Sequence, residues 1–189
     1  MGYPLKKEKN KRYTWQDYLT WSDEERWEVI DGKAYDMSPS PTFRHQNIVV
    51  NFGGLLRTKL ISGFCRVCVA PLDVYFDDYN FVQPDVFVVC DKNKIKDRIY
   101  GAPDLIVEVL SPATSLKDKR EKKNLYERFS VREYIIVYPE EMFVERYCLK
   151  DGGYSEAEVF GPQEAITLCS VNNIEIPLWE IFEVEPPEK

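Results

Sequence analysis

Two strand-like segments each carry a carboxylate where an apolar core residue belongs. Val82-Gln83-Pro84-Asp85-Val86-Phe87-Val88-Val89 and Asp104-Leu105-Ile106-Val107-Glu108-Val109-Leu110 are rich in β-branched and aromatic residues and bounded by turn formers, the make-up of buried strands. An ionised carboxylate among apolar side chains is costly unless it is paired or binds a metal. Two strands of one sheet that each present a carboxylate toward a common point would make a divalent-metal site. Strand alternation places Asp104, Ile106, Glu108 and Leu110 on one face, and Leu105, Val107 and Val109 on the other. By the same rule Gln83 and Asp85 share a face, so Gln83, Asp85 and Glu108 converge on one cleft. Such a pair suits magnesium, which takes one or two protein carboxylates and completes its shell with water and substrate phosphate. An acidic pair held by ordinary hydrogen bonds or salt bridges gives the same local pattern.

The rest of the chain supplies a frame for these strands. Thr14 is placed to cap a short helix through Leu19, and Asp31-Gly32 joins Trp27–Ile30 to Lys33–Tyr35 as a hairpin, the strongest short-range signal of that kind. Apolar positions at Ile48, Val49, Phe52, Leu55, Leu56 and Leu60 predict a long helix over 42–60. Gly53-Gly54 within it lowers helix propensity by roughly 1 kcal/mol each and marks close packing or a kink. Strands are expected at 66–69, 73–76 and 81–89, with Asp77-Asp78-Tyr79-Asn80 as the turn between the last two. A polar connection follows over 91–100, then the Glu108 strand, a helix from Thr114 or Ser115 to Phe129 and a strand at 134–137. The end is β-rich, at 143–149 and 154–160. Strand, helix and strand in the middle predict a crossover and so a mixed sheet.

Composition is that of an ordinary globular protein. The 189 residues are 44% hydrophobic and 30% charged, enough for one domain over 13–189 with a core of its own. Residues 1–12 form a polar basic arm, five Lys/Arg against one Glu, expected to be mobile. No apolar run approaches the ~20 residues that span a bilayer, and the basic start lacks the apolar stretch of a secretory signal. No membrane partner and a cytoplasmic setting are expected. Five cysteines without a dense framework read as reduced thiols. The net charge of −7 repels phosphate at long range. Residues 117–128, with six Lys/Arg against three Asp/Glu, still offer a local basic element within a Debye length of about 10 Å.

An ordered series of motifs is more specific than any one of them. Trp27-Glu28-Val29-Ile30-Asp31-Gly32, His45-Gln46, Val82-Gln83-Pro84-Asp85 and Gly101-Ala102-Pro103-Asp104 through Ser111-Pro112 are followed by Asp118, Lys122 and Tyr126 and then Arg132-Glu133-Tyr134-Ile135-Ile136-Val137. In this order they resemble the Uma family, within the restriction-endonuclease-like PD-(D/E)xK nuclease superfamily. The resemblance runs from about Trp27 to the last expected strands. It implies an α/β fold, a restriction-endonuclease-like mixed β-sheet flanked by helices with added antiparallel strands. It also implies a Mg²⁺- or Mn²⁺-dependent endonuclease that hydrolyses phosphodiester bonds of nucleic acid, DNA rather than RNA. A homodimer is a reasonable expectation, since many nucleases of this superfamily pair to cut both strands.

On this reading Asp85 and Glu108 hold the metal and Gln83 supports them. The superfamily's usual lysine lies two residues after the glutamate, where this chain has Leu110. The resemblance implies a migrated lysine, Lys122. Asp118, Lys122 and Tyr126 are spaced four apart and line one helix face, directly after the Glu108 strand. A surface Asp-to-Lys pair accounts for the same spacing. Glu28 matches the family's N-terminal glutamate and is a candidate for a second metal, or a partner for Arg26 or Arg44; Asp73 is a weaker candidate.

Two other classes remain open. The leucine at 110 and the acidic net charge suit a nuclease fold that has lost catalysis and serves as a binding or assembly module, and Lys122 pointing to solvent would favour it. A carboxylate pair also serves acid/base hydrolysis of another substrate class, as in glycosidases. His45, the sole histidine, reads as a packing or hydrogen-bonding residue. Cys65-x-x-Cys68 lacks a second pair at zinc spacing, no glycine loop precedes Lys-Ser/Thr, and no G-x-S-x-G elbow occurs.

Overall fold

The computed structural model describes residues 11–22, 26–37, 40–111 and 115–188. Most of the expected basic arm, residues 1–10, lies outside them. The chain runs α1 (Trp15–Tyr18), β1 (Trp27–Ile30), β2 (Lys33–Asp36), α2 (Phe43–Leu60), β3 (Arg66–Val69), β4 (Val74–Asp77), β5 (Asn80–Val82) and β6 (Val86–Val89). A 3-10 turn (Lys92–Lys94) leads to β7 (Ile99–Tyr100) and β8 (Leu105–Val109). The crossover is one helical run: α3 (Ser115–Lys117), a π-helical turn (Asp118–Lys122) and α4 (Lys123–Arg128). Then come β9 (Glu133–Tyr138), β10 (Phe143–Lys150), β11 (Gly153–Tyr154), β12 (Glu158–Phe160), β13 (Ala165–Leu168), β14 (Ile174–Pro177) and α5 (Leu178–Phe182).

The main sheet has the order β11-β10-β9-β8-β6-β3, with β12 also on β10. It is mixed: β8 and β9 run parallel through the helical crossover, whereas β6–β8, β3–β6 and β9–β10 are antiparallel. Every residue of β8 and β9 is buried, as a strand covered on both faces requires. One face, through Val86, Val88, Leu105, Val107, Val109, Ile135 and Val137, packs under Ile48, Val49, Phe52, Leu56 and Leu60 of α2. The other, through Phe87, Val89, Ile106, Tyr134 and Ile136, packs against Leu125 and Tyr126 of α4. Thr42 caps α2 by accepting the His45 amide. A smaller sheet, β2-β1-β5-β4-β7, stands beside the first, and its own cluster gathers Tyr13, Trp15, Trp27, Val29, Ala34 and Phe81. Asp31 and Gly32 both take positive φ, 51° and 77°, the backbone that a two-residue hairpin turn demands.

Several expectations are corrected. Residues 81–89 are not one strand. Pro84 offers no amide to a ladder, and the chain crosses there from the smaller sheet, which holds β5, to the main sheet, which holds β6. The expected strand 154–160 is likewise divided into β11 and β12, both against β10. The β13–β14 hairpin and α5 were not foreseen in the sequence; Ile166, Leu168, Ile176, Leu178 and Ile181 join the cluster under α2. The thiols are not all reduced: Cys65 and Cys90 form a disulfide between the ends of paired strands β3 and β6. Close packing is the outcome at Gly53, where a Cβ would lie 3.1 Å from Val69; one at Gly54 would meet nothing within 4 Å.

Candidate active site

Register brings the two sequence-distant carboxylates together. Antiparallel β6 and β8 pair Val86 with Val107 and Phe87 with Ile106, so one further step sets Asp85 opposite Glu108. The Asp85 amide lies 3.4 Å from Glu108 Oε2, and Asp85 Oδ2 accepts the Val109 amide at 2.8 Å. Pro84 offers no amide to a ladder, and after it the Asp85 carbonyl accepts the Ala70 amide at 3.1 Å. Its carboxylate keeps 19% of its surface open, while Glu108 is buried.

The crossover helix delivers the positive charge. Lys122 Nζ donates to Glu108 Oε1 at 2.8 Å, lies 2.8 Å from Glu28 Oε1 and 3.6 Å from Asp118 Oδ1. Tyr126 donates its hydroxyl to the same Glu108 Oε1 at 2.6 Å. Lys122 is only 3% exposed, so it does not point to solvent. Both Asp118 and Lys122 lie in the π-helical turn, a form that recurs at functional sites. The Tyr134 hydroxyl donates to the Asp118 carbonyl at 3.1 Å, giving that turn a buried partner.

Glu28 stands behind this group. Its carboxylate takes Lys117, Lys122 and the Gln83 amide, the last at 2.9 Å. It does not reach the cleft as a free ligand for a second metal. Nor does it pair with Arg26 or Arg44: Arg26 donates to the Gln83 side-chain Oε1 at 2.9 Å, and Arg44 lies 3.5 Å from Glu140. Gln83 passes its amide nitrogen on to Asp73 Oδ1 at 2.9 Å. The structure thus brings Asp85, Glu108, Lys122, Gln83, Asp118 and Tyr126 to one place, with Glu28 behind them and Asp73 beyond Gln83.

The charges are unevenly shared. Burial pushes the Glu108 carboxyl up to about 8; Lys122 opposes this, but the negative charges of Asp85, Asp118 and Glu28 add to it. Burial also disfavours the Glu28 anion, yet Lys117 and Lys122 outweigh it and bring that carboxyl down to about 2. Lys122 is held charged well above its ordinary range: burial opposes the charge, and Glu108, Glu28 and Asp118 overcome it. Burial and the Glu108 charge push the Tyr126 hydroxyl up, leaving it a neutral donor.

An open cleft of about 290 Å³ lies over the group. Arg26, His45, Gln46, Gln83, Asp85, Glu108, Ser111, Lys117, Asp118 and Lys122 line it. The sequence reading underrated three of these. The sequence offers Arg26 only as a partner for Glu28 and Lys117 only as part of the basic element 117–128. His45, at the start of α2, has Nε2 3.3 Å from Asp85 Oδ2, and its buried Nδ1 makes no hydrogen bond among the described residues. The His-Gln pair just after a helix cap was the available signal.

The donor set fits a hard divalent cation. Asp85 and Glu108 offer carboxylate oxygens to the cleft, the ligand type magnesium and manganese prefer. A cation bound there would offset the negative charge that Asp85, Asp118 and Glu28 add to a carboxyl raised first by its burial.

A mixed sheet with helices on its faces and a carboxylate pair at the junction of two strands is consistent with the restriction-endonuclease-like class of fold. Within that class the chain belongs to the Uma2 family, whose model, described as "Putative restriction endonuclease", matches residues 15–178. It is 29% identical over 143 residues to "Uncharacterized protein slr1290" of Synechocystis sp., an overlap of 73% of this chain and 75% of that one. Its fold is similar to the crystal structure of a "putative nuclease belonging to DUF820" from Anabaena variabilis, with a TM-score of 0.77 at 20% identity, covering 90% of this chain and 97% of the other. Among the described residues no helix is long and apolar enough to cross a membrane.

Proposed function

We propose that the protein is a Mg²⁺- or Mn²⁺-dependent endonuclease that hydrolyses phosphodiester bonds of nucleic acid, with DNA the favoured substrate. The observation that carries this reading is Lys122 Nζ at 2.8 Å from Glu108 Oε1, in the wall of a cleft that Asp85 also lines. Asp85 and Glu108 would hold the ion, which when bound lowers the pKa of a coordinated water and polarises the phosphoryl oxygen. Lys122 and Tyr126 occupy Glu108 Oε1 and fix the carboxylate with Oε2 toward Asp85. The Lys122 ammonium, kept charged by its three acidic neighbours, orients the attacking water and meets charge that develops on phosphorus. Arg26 and Lys117 at the rim offset the acidity that would otherwise repel a phosphate. Gln83, held between Arg26 and Asp73, fixes the backbone leading into Asp85.

The test is cleavage of supercoiled plasmid, linear duplex, single-stranded DNA and RNA with Mg²⁺ or Mn²⁺. Metal-dependent cutting is expected from the wild type and loss of it in Asp85→Ala and Glu108→Ala. Lys122→Ala should cost about 10²–10³ in rate, the scale for one stabilising group. Wild-type rates from a folded Asp85→Ala would refute the proposal.

A further inference from the structure

A second group of ligand-bearing side chains lies away from the cleft. Glu133 opens β9, and Cys148 is its direct cross-strand neighbour on β10, so the two side chains share a face. Cys169 follows β13 of the C-terminal hairpin. Its Sγ is 3.4 Å from Cys148 Sγ, and one ligand atom from each of the three residues lies within 4.8 Å of the others. None of the three lines the cleft over Asp85 and Glu108. In the parallel β8–β9 pair, Glu133 neighbours Leu105, whereas Glu108 neighbours Ile136. The group therefore sits toward the opposite end of those strands.

Glu133 is the informative member. It is wholly buried. Its Oε2 accepts the Ser170 amide at 3.0 Å and the Ser170 hydroxyl at 2.6 Å, which fixes the carboxylate. Its Oε1 is buried and has no hydrogen-bond partner among the described residues; Arg146 Nη1 is 3.9 Å away, beyond hydrogen-bonding reach. The terminal nitrogens of Arg146 bind Glu158 and the Thr167 carbonyl, and its buried Nε has no hydrogen-bond partner among the described residues. A buried carboxylate oxygen left without a donor is costly. A cation between it and the two sulfurs removes that cost.

We propose that Glu133, Cys148 and Cys169 form a binding site for a thiophilic divalent cation of the zinc type. With Zn–S of about 2.3 Å and tetrahedral angles, two thiolates on one ion are about 3.7 Å apart and thiolate and carboxylate about 3.5 Å. The observed 3.4 Å between sulfurs is close to that spacing. Two sulfurs and one oxygen select zinc over the hard cations that suit the cleft. Binding replaces two thiol protons by the metal. Cys169 is exposed and gives the ion a path in, with a water completing the shell. The ion ties the C-terminal hairpin to the main sheet through one ligand on each of β9 and β10 and one just after β13.

The experiment uses the full chain, reduced and stripped of metal, and titrates it with Co²⁺ as a spectroscopic substitute for Zn²⁺. The expected result is one thiolate-bound cobalt per chain, read by its thiolate-to-metal charge-transfer band, displaced by Zn²⁺ and retained in Asp85→Asn, which disables only the cleft. Cys169→Ser, at an exposed position that leaves the fold intact, should lose about half of that band and at least tenfold in affinity. Glu133→Gln should weaken binding and keep the band. Absence of the band, a band unchanged in Cys169→Ser, or a Cys148–Cys169 disulfide that forms in spite of bound Zn²⁺ would overturn the site.

Discussion

Replacing Lys122 by methionine removes a charge that two glutamates share. Lys122 Nζ is 2.8 Å from both Glu28 and Glu108, and all three side chains are at most 3% exposed. Removing one partner of a buried pair costs about 3–5 kcal/mol, because the remaining charge is left uncompensated. Two features moderate the loss here. Glu108, with its carboxyl already near 8, discharges by holding a proton, and Glu28 keeps Lys117. The lower end is therefore expected, about 3 kcal/mol at neutral pH in EDTA, or about 6–12 °C in Tm for a domain of this size. Urea unfolding of the wild type, Lys122→Met, Glu28→Gln and the double variant measures it. The cycle should show a favourable coupling of about 1–3 kcal/mol. A Lys122→Met protein within about 0.5 kcal/mol of wild type, or single losses that simply add, would refute the view that Lys122 neutralises this cluster.

The remaining predictions concern pH and the long helix. Without metal, Glu108 is raised from 4.5 to about 8, so the folded state holds the extra proton and stability falls as pH rises from about 4.5 to about 8, by at most about 1.4 kcal/mol per unit; Glu108→Gln should flatten that slope in urea titrations. Glu28 is lowered from 4.5 to about 2, so its contribution is full above about 4.5 and lost as pH falls toward about 2; Glu28→Gln should remove that acid limb. Gly54→Ala should gain about 0.5–1 kcal/mol of helix propensity, since its Cβ meets open space, while Gly53→Ala should fall below it because its Cβ presses on Val69 at 3.1 Å; thermal melts of the two variants decide this.

What was legible in the sequence depended on how local the signal is. The Asp31-Gly32 turn, the Thr14 cap and the apolar spacing of α2 are fixed by neighbouring residues, and each stands where the pattern put it. The alternation in β8 also holds, with Ile106 and Leu110 on the face opposite Leu105, Val107 and Val109. The break at Pro84 was hidden because Phe81 through Val89 is equally apolar on both sides of it; only the smaller sheet, assembled from β1, β4 and β7, shows where β5 belongs. The Cys65–Cys90 bond depends on the β3–β6 register, which no local pattern gives. The C-terminal hairpin has strands of only four residues each, AITL and IEIP, too short for a clear alternation, and their burial is decided by α2. The partners of Glu28 were misread for the same reason: Lys117 lies 89 positions away, and only the crossover brings it over β1.

The π-helical turn explains how a lysine so far from Glu108 in sequence can serve it. In an α-helix each residue turns about 100°, so positions 118 and 126 would differ by about 80° about the axis. Tyr126 and Asp118 could not then both face the strand squarely. Over a π-helical stretch, with roughly 4.4 residues per turn, the first four steps fall short of a full turn by about as much as four α-helical steps exceed it. The two errors cancel, and Asp118, Lys122 and Tyr126 lie nearly in one row, as the contacts of Lys122 and Tyr126 with the same Glu108 oxygen require. Leu110, meanwhile, is buried in the apolar cluster beneath α4, where a lysine would have to bury its charge among Ile106, Leu125 and Tyr126. The strand keeps its apolar packing because the helix carries the cation. Leu110 thus keeps the apolar packing of the strand end, while Lys122, at the last position of the widened turn, brings its charge to Glu108.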